Sequence, residues 1–254
     1  MAKVAVRTLE QAVPIAPADS GVESHAYFDD DRQPIHLRLH RLAPGARLQL
    51  AAIHADISLY VWEGSVIAGG VELDQRSSAV IQQGASLAII AGQEGAALLA
   101  FNMRESESPT AEGQVLLLPN ERVPRTFAMG GLEGVGGALH ADAHAPTPHV
   151  WLHENDFAMA DRENVLHSHS EDEVIFVRAG SVRLGNRLYA PGTALAIAAN
   201  TVYGFFSGPD GLSFVNFRGT SPTYKTADGS MVLDEAELWR NAVGRPDYLV
   251  PASA

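Results

Sequence analysis

An all-β chain of two tandem β-barrels closed by one short C-terminal helix is the architecture this sequence predicts, on three observations. The first is internal repetition: "LYVWEGSV" (59–66) lines up with "IFVRAGSV" (175–182) at an offset of 116 residues, Leu59 to Ile175. "QGASLAIIA" and "PGTALAIAA" then match in the same order, as do "AALLAFNM" and "LSFVNFRG". The second is segment chemistry. The matching stretches are short, rich in Val, Ile, Leu and aromatic residues, and punctuated by Glu63-Gly64, Gly69-Gly70, Ala179-Gly180 and Pro191-Gly192, as in antiparallel strands joined by tight turns. The third is the scarcity of helix, with one clear candidate, "LDEAELWRNAV" near the C-terminus.

Taken in chain order, residues 1–129 form the first predicted barrel. Residues 130–148, where Gly and Pro concentrate and the repeat lapses, form the predicted linker, and residues 149–254 the second barrel. "IHLRLH" (His36, His40) loosely mirrors "PHVWLH" (His149, His153), as a repeated strand would. "GGLEGVGG" lacks the following helix that a dinucleotide-binding loop needs. His140, His144, His149 and His153 bunch together, but prolines between them break any single ligand spacing. In the C-terminal helix Asp234 can cap the first turn while Leu238 and Trp239 pack.

Composition narrows the function classes. The chain has 254 residues, 46% of them hydrophobic, and 18 Lys+Arg against 30 Asp+Glu give a net charge of -12 with no basic run. Nucleic acid is therefore a poor partner. Cysteine is absent, so any metal ligand must come from His, Asp, Glu or Tyr. No stretch reads as a signal peptide, nor as the ~18 apolar residues of a membrane span, so a cytoplasmic protein is expected.

The chemistry concentrates in "VLHSHSEDEVIFVRAGSV" (165–182). On a strand His167 and His169 share a face, and Glu173 joins them if "SED" makes a turn between. Two imidazoles and a carboxylate can hold iron, zinc, manganese or nickel with coordination positions left open. On the triplet alone, a metal site and a polar strand end both remain readings.

The wider pattern His167-x-His169-x3-Glu173-x6-Gly180 resembles the first motif of the cupin superfamily. Gly185-x5-Pro191-Gly192 followed by "TALAIAANTVYGF" resembles the second. The resemblance covers about 40 residues, and the repeat extends it to a two-barrel cupin of double-stranded β-helix, or jelly-roll, type. It implies one divalent transition metal per chain on His167, His169 and Glu173, with Fe favoured and Mn, Ni or Zn as alternatives. Two positions depart from the pattern: Asp161 stands where the family usually has Gly, and Tyr203 where it usually has a fourth ligand, His. Tyr203 is assigned to the pocket as a proton donor or acceptor, with direct ligation of the metal as phenolate as the alternative.

At the same offset the triad falls on Ala51, Ile53 and Ile57, none of which can bind a metal. The first barrel is expected to be a scaffold or a contact of a homodimer. Ile175, Val177, Phe205, Phe214 and Asn216 share parity with the ligands or lie on neighbouring strands, and are predicted to wall the substrate pocket. The function expected is a metal-dependent enzyme acting on a small organic molecule, with an iron-type dioxygenase favoured. A metal-dependent isomerase or lyase, or a non-catalytic small-molecule-binding cupin, is the alternative.

Overall fold

The computed structural model describes residues 3–16, 19–29, 33–104, 113–143 and 150–251. The described chain is almost wholly β, in two antiparallel sheet systems, with one α-helix, Glu235–Val243. It divides into two compact units. One comprises Met1–Gln11 with Pro124–Arg245, the other Ala12–Val123 with Pro246–Ala254.

This partition corrects the predicted boundaries at three points. Val4–Arg7 pairs with Ala194–Ile197 and so completes the sheet of the C-terminal barrel. Val135–Ala141, inside the predicted linker, is a fully buried strand paired with Trp151–Phe157. At the other end, Leu249 bridges to Leu117 in the first barrel's unit. A four-residue terminal strand carries no repeat of its own, and a Gly-rich strand buried on both faces has no alternation, so neither was visible as periodicity.

Each unit is organised around two long bent strands. In the first unit these are Ile57–Ala68 and Ser86–Met103, in the second Glu173–Leu184 and Tyr203–Arg218. The offset of 116 survives in the register: Ile57 faces Asn102, and Glu173 faces Arg218. Glu63-Gly64 and Ala179-Gly180 are bulges within continuous strands instead of the expected turns. Gly64 and Gly180 have φ of 72° and 64°, and a Cβ on either would strike the carbonyl oxygen of Gly95 or Gly211 on the neighbouring strand. That close approach explains the repeated Gly.

Inward residues of the first unit make an apolar core that includes Leu59, Val61, Ile81, Leu98 and Ala100. The second unit has a corresponding cluster with Ile175, Val177, Leu195, Phe205 and Phe214. The helix starts where expected: the Asp234 carboxylate accepts from the amides of Ala236 and Glu237. Trp239 packs with Met129, Val135, Leu139 and Trp151, whereas Leu238, predicted to pack, is exposed. Among the described residues no helix is long and apolar enough to cross a membrane.

Candidate functional site

Alternation places the site at the inward face of the C-terminal barrel. Glu163–His169 pairs with both Tyr203–Arg218 and Thr223–Thr226, so His167 lies opposite Tyr203 and His169 opposite Tyr224. The expected turn after His169 is present, pinned where Asp172 accepts from the Ala199 amide. On the adjoining strands His153 faces Asn216, and Asn155 faces Phe214.

These side chains enclose a cavity of about 110 Å³. His167, His169, Tyr203 and Tyr224 form one wall, and Phe157, Phe205 and Phe214 the apolar one. His153, Asn155, Asn216, Arg218 and Glu235 supply further polar surface. Of the residues predicted from sequence, His167, His169, Tyr203, Phe205, Phe214 and Asn216 meet here. Ile175 and Val177 do not; they are buried in the apolar cluster instead. Glu173 is also absent from the cavity wall.

The reason for Glu173's withdrawal is electrostatic. Its Oε2 accepts from Arg218 Nη2 at 2.8 Å and from Asn216 Nδ2 at 2.8 Å. Burial alone would raise its pKa, but Arg218 and His169, with hydrogen bonds from Tyr203 and Asn216, hold it below the ordinary carboxylate value. Arg218 is 1% exposed, and its Nη1 donates to Glu235 Oε2 at 3.2 Å. Burial opposes its charge, while Glu235 and Glu173 more than compensate and raise its pKa. Glu235 behaves likewise: burial works against the carboxylate, but Arg218 and His169 keep it well below the usual range.

A hydrogen bond orients His167 from behind, whereas His169 Nδ1 meets Glu235 by charge and makes no hydrogen bond. His167 Nδ1 lies 2.7 Å from the Val165 carbonyl, which can only accept, so Nδ1 carries the proton and Nε2 the lone pair. Burial lowers the His167 pKa despite that hydrogen bond, which keeps the ring neutral. His169 Nδ1 lies 3.1 Å from Glu235 Oε2. The two rings meet edge to face with centroids 4.9 Å apart, and Tyr224 stacks on His167. Trp151 Nε1 donates to His153 Nδ1 at 2.7 Å, and burial pushes the pKa of His153 down to about 3. Burial and Glu173 raise the Tyr203 phenol well above its ordinary pKa.

The donor set does not fit the three-ligand metal centre that the motif implies. Glu173 Oε2 is occupied by a guanidinium and an amide, and among the described residues no three His, Asp or Glu side chains stand together as a metal-ligand group. Of the histidine cluster, His144 and His149 lie outside the described residues, while His140 is buried against Glu154. In the first barrel, Ala51 and Ile53 are exposed and Ile57 packs beside the core.

Sequence reasoning missed Arg218, Glu235, His153, Asn155, Asn164 and Tyr224. Arg218 continues the parity of Phe214 and Asn216, so alternation could have found it. Glu235 comes from the helix and carries no strand signal.

No protein-family model matches the chain, and no curated protein matches it in sequence. Solved structures do share its fold. A variant of the oxalate decarboxylase OxdC of Bacillus subtilis superposes with a TM-score of 0.66 at 13% identity, covering 88% of this chain and 79% of that one. The protein Ylba of E. coli gives 0.65 at 13% identity, covering 85% and 90%. Another structure of the same decarboxylase, whose Mn(II) centers were its subject, gives 0.65 at 13%, covering 88% and 79%. The shared architecture is that of cupin-like barrels.

Proposed function

We propose that the C-terminal barrel acts on a small, uncharged carbonyl compound by moving a proton between neighbouring atoms, as an isomerase does. One observation carries this reading: His169, in the cavity wall, has its Nδ1 3.1 Å from Glu235 Oε2, a charge contact outside hydrogen-bond geometry, and Arg218 anchors Glu235 in turn. A carboxylate behind an imidazole fixes its orientation and stabilises the imidazolium formed when the far nitrogen takes a proton. His167, neutral and held by a backbone carbonyl, is the second base beside it. His169 takes the proton from carbon and, as the imidazolium, returns it to the adjacent carbon, while the bare Nε2 of His167 takes the hydroxyl proton and passes it to the neighbouring carbonyl oxygen. The phenol oxygen of Tyr203 accepts from a substrate hydroxyl, and the Phe157, Phe205 and Phe214 wall limits water.

Size and charge narrow the ligand. A cavity of about 110 Å³ admits only a small molecule. Two carboxylates against one guanidinium leave no net positive charge for an anion. The expected substrates are therefore hydroxyketones or hydroxyaldehydes.

The metal-dependent reading, with Fe or Mn on His167 and His169 and an iron-type dioxygenase as its oxygen-using form, draws on the Mn(II) centers named for the Bacillus decarboxylase. It requires Glu173 to ligate through Oε1 while Oε2 keeps its bonds to Arg218 and Asn216. Homodimer formation and a cytoplasmic location stay part of the proposal, with composition as their support.

The test is proton exchange in D2O, followed by NMR, with hydroxyacetone, dihydroxyacetone, glyceraldehyde and acetoin, and with pyruvate and lactate as anionic controls. Wild type is expected to exchange a carbon-bound proton of a neutral compound, and His169→Ala or Glu235→Gln to lower the rate by about 10²–10⁴-fold. Undiminished exchange in both variants, or dioxygen consumed in step with turnover, overturns the reading.

A further inference from the structure

The pattern His167-x-His169-x3-Glu173 calls for a cation beside Glu173, and the fold supplies one from the chain itself. We infer that Arg218, and not a bound metal ion, is the resident cation of this site, so that the motif is an ion-pair network built from its own side chains.

Three observations converge. Glu173 is 2% exposed, and two donors at 2.8 Å occupy one of its oxygens. An ion on the occupied oxygen would strand the Arg218 and Asn216 donors without an acceptor, and an ion on the other would share the carboxylate with that buried guanidinium. The internal repeat supplies the second observation. Glu173 and Arg218 are cross-strand partners, and at the equivalent positions of the first barrel Ile57 faces Asn102. Both members of the pair are present in one barrel and both are missing from the other, as expected if each exists for the other. Third, Arg218 bonds both carboxylates, Glu173 with one arm and Glu235 with the other. Glu235 contacts His169 at 3.1 Å, so Arg218 is a positioning residue that ties the motif strand to the helix start.

The inference is independent of which molecule enters the cavity, and its test involves no substrate. The full chain is purified without chelator or added metal and analysed for Mn, Fe, Co, Ni, Cu and Zn. It is then melted with and without about 1 mM MnCl2 or ZnCl2, while the His167 and His169 ring signals are followed by NMR during Mn(II) titration. The expected result is about 0.1 ion per chain or less, an unmoved Tm, and ring signals that Mn(II) does not broaden saturably. Saturable broadening of both rings by micromolar Mn(II) would overturn the inference. So would a resident ion at about one per chain whose removal lowers Tm by about 5–10 °C and shifts both ring signals. An ion whose removal leaves both ring signals in place sits elsewhere, and the inference then stands.

Discussion

At the scale of single residues, His40 shows what burial does to an ionisable group away from the candidate site. It is 6% exposed, with Nδ1 2.7 Å from Ser24 Oγ, and burial, with Arg38 nearby, lowers its pKa from 6.5 to about 4. Between those values the unfolded chain binds a proton that the folded chain does not, so stability falls as pH drops from about 6.5 to 4 and levels off below. The full contribution is on the order of 3 kcal/mol. Urea unfolding across that range is expected to show the slope in wild type and a shallower one in His40→Gln. An unchanged slope would assign the loss to other groups. The same principle, that a buried charge needs a partner, separates what could be read from the sequence at the site from what could not. His167 and His169 were legible because two residues on one strand share a face. That Glu173 answers Arg218 was not, because the pairing depends on a register 45 positions away, Glu173 to Arg218.

At the scale of elements, the legible part was the repeat of two long strands, and the misread part was how they bend. Glu63-Gly64 and Ala179-Gly180 looked like turns because Gly punctuates hairpins. In three dimensions they are places where one strand crosses close over the next, at Gly95 and Gly211 respectively. The bulge at Gly180 lets Glu173–Leu184 follow the barrel wall and keeps Glu173, Ile175 and Val177 facing inward on the near side of the bend. Gly180→Ala combines a φ of 64° with a backbone collision, so a loss of about 2 kcal/mol or more is expected. Chemical denaturation of this variant checks it, and a loss under about 0.5 kcal/mol would show that the crossing relaxes freely. The helix was legible at its cap and half-legible on its faces. Asp234 and Trp239 behave as read, but Leu238 is exposed, and the side chain that reaches the candidate site is Glu235 in the first turn, where an acidic residue is ordinarily explained by the helix dipole alone.

At the scale of the whole molecule, the repeat located two barrels correctly but could not assign the chain's ends to them. Each unit takes a terminal piece from the far end of the sequence: Val4–Arg7 closes the sheet of the C-terminal barrel, and Leu249 bridges into the sheet of the first. Val4–Arg7 pairs along its whole length with Ala194–Ile197, whose other edge is held by Glu173–Phe176 at the start of the motif strand. Deleting residues 1–8 therefore leaves a buried four-residue strand with an open edge directly beside Glu173. At about 1 kcal/mol for each backbone hydrogen bond lost, the C-terminal unit should lose about 2–4 kcal/mol. Trp151 and Trp239 report on that unit and Trp62 on the other, so in a Trp62→Phe background fluorescence follows the C-terminal barrel alone. The truncated chain is expected to unfold earlier in urea by that signal. Wild-type Trp62 fluorescence, isolated in a Trp151→Phe, Trp239→Phe background, should keep its midpoint. Equal shifts by both probes would mean that the two units unfold as one cooperative body. No shift in either would mean that Val4–Arg7 adds nothing to the sheet it completes.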